Sequence, residues 1–116
     1  MLPQRIRAHL CEVARSAQPV TYQALAKALE LTPPNTIYQL TVALEELIQE
    51  DAIAVRPLIA ALVISKSRGG LPAPGFFECA KRVGRFDGDP SGPEAAAFYE
   101  REFTNAIEFW RAPEVS

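Results

Sequence analysis

The sequence predicts a mainly α fold with one small β-hairpin, on three observations. Apolar residues recur at helical spacing in three successive segments between residues 3 and 51; a β-rich apolar run, Arg56 to Ser65, is followed by the glycine pair Gly69-Gly70; and a last amphipathic segment opens at Pro93. A chain of 116 residues is long enough for one core and too short for two. With 48% hydrophobic and 22% charged residues, its composition is that of an ordinary globular domain rather than a disordered chain.

Taken in order, Ile6, Leu10, Val13 and Ala14 share one face of an opening helix over residues 3–16, and Pro3 suits its first turn. Gln18-Pro19-Val20 allows only a minimal strand. Thr21 is a natural N-cap for a second helix whose Leu25, Ala28 and Leu29 share a face. Thr32-Pro33-Pro34 must break that helix, because neither proline has an N–H to donate. Asn35 or Thr36 then caps a third helix, with Ile37, Leu40, Leu44, Leu47 and Ile48 as its apolar stripe and an end near Asp51.

Leu58, Ile59, Leu62, Val63 and Ile64 make the following run a buried strand, and Lys66-Ser67-Arg68-Gly69-Gly70 a hairpin turn with Leu71 starting the return arm. Residues 75–83 read as a short helix and Asp87 to Gly92 as a polar linker. The final helix carries an aromatic face of Phe98, Tyr99, Phe103, Ile107 and Trp110 and stops before Pro113. Three helices, a strand and a glycine-tipped turn are the order of a winged helix-turn-helix. The expected layout is a winged-helix domain over residues 1–92, with residues 93–116 forming an added C-terminal helix packed on the same domain.

Charge is unevenly distributed. Residues 56–86 carry Arg56, Lys66, Arg68, Lys81, Arg82 and Arg85 against Glu78 alone, a net +5. Residues 87–116 carry seven acids against Arg101 and Arg111, a net −5. A basic middle and an acidic tail fit either a nucleic-acid-facing side or internal complementarity between the two segments. The longest apolar run, Pro57 to Ile64, is too short to cross a bilayer, and Met1 to Arg5 leads into a charged amphipathic segment. A cytoplasmic protein without a membrane partner is therefore expected.

Chemistry-bearing residues are few. Cys11 and Cys79 lack the paired spacing of a zinc or redox motif and read as buried thiols; His9 is the single histidine. No nucleophile, base and orienter can be nominated together, so neither enzymatic activity nor a cofactor is expected. The residues nominated for a nucleic-acid interface are Lys66 and Arg68 on the wing and Asn35, Thr36 and Gln39 on the side of the third helix away from its stripe, beside Ala43. Lys and Arg neutralise phosphates, while Asn and Gln can pair with adenine. Glu45, Glu46, Glu50 and Asp51 at the end of that helix oppose a duplex. Gly70 to Phe77, stiff and apolar, can line a groove or fold back as a wing arm.

Thr21-Tyr22, Leu25-Ala26, a third helix, and Pro57 leading to a strand and a basic glycine-tipped turn together resemble the winged-helix half of alkylguanine-DNA alkyltransferases and their alkyltransferase-like relatives, over residues 18–75. The resemblance implies the fold alone. That family carries a Pro-Cys-His-Arg reactive motif after its third helix, where this chain has Pro57-Leu58-Ile59-Ala60, and an arginine on its recognition helix, where residues 35–48 contain no Lys or Arg. Alkyl transfer is thereby dismissed. Leu62 to Lys66, Gly70 to Phe77 and the Trp-bearing helix at 93–110 are also similar to a group of small uncharacterised bacterial proteins, which implies an intact domain and no activity. The expected function is a non-enzymatic module binding duplex DNA. The alternative is a protein-interaction or assembly domain, with a partner or second copy on the C-terminal aromatic helix.

Overall fold

Local signals set most helix ends. Pro3 stands in the first turn of α1 (Leu2–Ser16), where a missing N–H costs nothing, and Ala17 closes that helix in the left-handed region. After β1 (Val20–Thr21), Thr21 caps α2 (Tyr22–Ala28), its Oγ1 accepting from the Ala24 N–H at 3.1 Å. The Thr32–Pro34 break leads into α3 (Thr36–Ile53); β2 (Val63–Ile64), α4 (Pro74–Arg82) and α5 (Pro93–Trp110) follow. The computed structural model describes residues 1–111; Pro113, expected to stop the final helix, and the end of the 93–116 segment lie outside the described residues.

The fold is mainly helical around one apolar core to which all five helices contribute. α3 is its centre, burying Leu40, Ala43, Leu44, Leu47 and Ile48 against α1, α2, α4 and a 3-10 turn at Ile59–Leu62. α5 covers that turn and α1. Its Phe98 joins Phe76, Phe77 and Phe86 in a ring cluster whose closest pair, Phe86 and Phe98, is 4.8 Å between centroids. The aromatic face of α5 is therefore turned inward, with Phe98, Tyr99 and Ile107 buried and Phe103 and Trp110 partly so; Phe109 is its exposed aromatic.

The β structure differs from the expected hairpin. β1 pairs with β2 in parallel, Val20 opposite Val63 and Thr21 opposite Ile64. Of the run read as a strand, Ile59–Leu62 is the 3-10 turn and only Val63–Ile64 is strand. The apolar pattern is right, since Leu58 to Val63 are all buried, but an apolar run does not distinguish strand from other buried backbone. What decides is where its N–H groups find acceptors. Here two of them use side chains, Leu58 N–H donating to Glu102 Oε2 at 2.8 Å and Ile59 N–H to Asp51 Oδ2 at 2.9 Å, in place of a neighbouring strand.

Two positions on α3 also depart from expectation. Ile37 lies at the angle of Leu44 and Ile48 but in the first turn, beyond the elements that cover the rest of the stripe, and it is exposed. Ala43, assigned to the outer side, is buried beside Leu2 and Pro3 because α1 packs there and widens the buried arc.

Candidate interaction surface

The nominated nucleic-acid residues come from two separate elements, the start of α3 and the turn after β2. Tyr22, next to the β1–β2 pair, faces Leu44 and Ile48 across a cavity, whereas Asn35 precedes Leu44 by about 13 Å of helix. Asn35 occupies the N-cap position in the left-handed region (φ 63°), with no side-chain capping bond, and Thr36 is half-buried. Gln39 is committed elsewhere: its Nε2 donates to Pro34 O at 3.0 Å and to Thr32 O at 3.3 Å, tying down the proline break.

The expected wing is a closed loop. Lys66–Arg68 forms a 3-10 turn, Ser65 N–H donates to Leu71 O at 2.8 Å, and Gly69 and Gly70 take φ of 64° and 93°, which a side chain would strain. Lys66 is exposed and Arg68 half-buried.

Two of the six cations of the basic middle, Arg56 and Arg85, are consumed inside the molecule. Asp51, 0% exposed, accepts from Arg56 Nε at 2.7 Å; Arg7 Nη1 approaches the same Oδ1 at 2.9 Å without hydrogen-bond alignment, so that contact is ionic. Buried Glu102 takes Arg85 Nη2 at 3.1 Å, and Arg85 Nη1 donates to Arg56 O at 2.9 Å. Trp110 Nε1 donates to Pro57 O at 3.0 Å, and its ring lies 4.8 Å from the Arg7 guanidinium and 5.1 Å from that of Arg56. Acids and bases from distant segments thus neutralise one another around residues 56–59, and no partner is needed to explain them. Sequence reading missed this cluster because Asp51 and Glu102 look like surface acids on amphipathic helices. The one available signal was the opposite net charge of the two segments.

What remains outside is the outer ridge of α3. Its N-terminal half is apolar, with Tyr38 68% and Val42 40% exposed; its C-terminal half is acidic, with Glu45, Glu46 and Glu50. Glu50 is paired with Arg7 at 3.0 Å and Glu45 more loosely with Arg82 at 3.7 Å. Depressions flank the ridge on both sides: an open groove against Leu2 and Pro3, and an enclosed one against Tyr22 and Phe76. The second includes Ala73, Gly75 and Phe76, from the stiff segment that the sequence singled out as a groove wall or wing arm, and there the segment lines the groove.

Burial raises the Tyr22 phenol above its ordinary value, partly offset by the hydrogen bond from the Ala73 N–H, and raises the Cys79 and Cys11 thiols, so neither cysteine is an activated nucleophile. Among the described residues, no three His, Cys, Asp or Glu side chains gather as a metal site, and no helix is long and apolar enough to cross a membrane. Nothing matches this chain among protein-family models, curated proteins or solved structures, so its functional reading rests on the geometry of the α3 ridge and its flanks.

Proposed function

We propose that this chain is a non-enzymatic interaction module, a reduced winged helix-turn-helix that receives a protein partner on the outer ridge of α3. The observation that carries this reading is the character of the ridge. An exposed tyrosine and valine lead into carboxylates, with no Lys or Arg between residues 35 and 48, and this suits a protein surface better than a phosphate backbone. Gln39, one of the two side chains nominated to pair with adenine, is spent on the proline break. A photoreactive amino acid at position 38 is expected to give protein adducts in cells that one at position 100, on exposed α5 surface, does not.

A second reading, duplex DNA binding, is favoured by one feature: the basic Lys66–Arg68 turn is held closed and carries an exposed lysine. Labelled duplexes titrated at low and moderate salt separate the two. The interaction reading expects no binding even where screening is weakest. Binding that loses a salt slope of about 2 in Lys66→Ala with Arg68→Ala would replace it with the nucleic-acid reading.

A further inference from the structure

The enclosed depression between α2, α3 and α4 has the features of a small-ligand site. Its volume is about 60 Å³, and its walls are Leu44, Ile48, Ala60 and Phe76. A water-sized sphere needs about 10–15 Å³, so the space takes about four to six groups of that size, room for a short branched alkyl chain. Two polar groups on its lining have capacity to spare. Tyr22 Oη accepts from the Ala73 N–H at 3.2 Å, and among the described residues its own proton has no acceptor. Glu45 is partly exposed, and its 3.7 Å separation from Arg82 Nη2 is too long for a hydrogen bond, so the carboxylate keeps its bonding capacity, while Arg82 also reaches the Cys79 thiol. Gly75 lies beside this carboxylate: a Cβ there would meet Glu45 Oε2 at 3.9 Å, an ordinary contact.

We propose that this cavity binds a branched aliphatic amine, the alkyl group filling the apolar space and the ammonium resting on Glu45. Apolar walls reward the alkyl group by removing it from water, and the carboxylate selects the cation over an anion of the same shape. The same chemistry is presented by a free branched-chain amino acid and by the N-terminal residue of a peptide. A free amino acid would add a carboxylate for Arg82, whereas a peptide would offer a carbonyl to the Tyr22 proton. The inference goes beyond the interaction reading and does not depend on it.

The test is a set of four probes followed by amide NMR shifts: 3-methylbutylamine, L-leucinamide, L-leucine and 4-methylpentanoate. The amine and leucinamide are expected to move the signals of Thr41, Gly75 and Phe76 at concentrations up to about 10 mM, and 4-methylpentanoate to leave them in place. Glu45→Gln, a change at a partly exposed side chain, should weaken the amine about tenfold, the share of one charge-assisted contact, with an unchanged melting curve. Leucine binding that exceeds leucinamide binding and is reduced by Arg82→Gln supports the proposal with the free amino acid as source; leucinamide binding at least equal to that of leucine supports it with a peptide N-terminus. Absence of shifts with either amine, equal shifts with 4-methylpentanoate, or Glu45→Gln binding like the parent would overturn it.

Discussion

Residues 56–62 and residues 65–71 are near neighbours in sequence, and both carry basic residues, Arg56 in the first and Lys66 and Arg68 in the second, yet the molecule treats them oppositely. The first segment is pinned from four directions: Arg56 O by Arg85, Pro57 O by Trp110, the Leu58 N–H by Glu102 and the Ile59 N–H by Asp51. The second closes on itself through local backbone bonds, the longest-range being Ser65 N–H to Leu71 O. A charge therefore has no fixed meaning in the sequence. Arg56 and Arg85 work within the fold because buried carboxylates arrive from α3 and α5, whereas Lys66 meets solvent because none does.

The largest expected effect lies in the pinned segment. Asp51→Ala removes the carboxylate that holds Arg56, Arg7 and the Ile59 N–H, leaving buried charge uncompensated, and should cost about 3–5 kcal/mol in denaturant unfolding. A cost near that of a surface change, about 0.5 kcal/mol, would break the contrast between the two segments. Leu44→Ala should cost about 2–4 kcal/mol, somewhat short of the upper limit because Leu44 already borders a cavity.

A change of opposite sign is expected just before the pinned segment, past the end of α3. Val55 is 87% exposed and sits at φ 55°, a left-handed position where a β-branched residue is strained. Val55→Gly should raise stability by about 1 kcal/mol, read as a higher melting temperature. No gain would mean that contacts of the valine side chain offset the strain.

The alkaline limb sharpens the comparison through α5. Burial raises the Tyr99 phenol from 10.0 to about 12, so the unfolded chain gives up this proton first. Stability is full below pH 10 and falls as pH rises toward 12; Tyr99→Phe should flatten this loss in part, with buried Tyr22 leaving the remainder. Melting curves from pH 9 to about 11.5 would check it. The smallest effect belongs to the closed turn, where Lys66→Ala should change stability by less than about 0.5 kcal/mol.

The sequence by itself determined the helices, because their signals are local. Thr21 caps the helix that starts beside it, Pro33 and Pro34 keep the segment between α2 and α3 out of either helix, and the 3.6-residue recurrence of Leu40, Leu44 and Leu47 needs no distant partner to orient it. Only the tertiary structure decided what became of the apolar run at 58–64 and of the charges around it. The run lies as a 3-10 turn beside a parallel two-residue strand because its N–H groups find Glu102, 44 residues from Leu58, and Asp51, eight residues from Ile59. The small cavity is a tertiary product too, since Tyr22, Glu45 and Phe76 have no sequence relation and meet only where α2, α3 and α4 pack. Helix propensity acts within a few residues and can be read along the chain; hydrogen-bond satisfaction and charge pairing depend on which segments the core brings together.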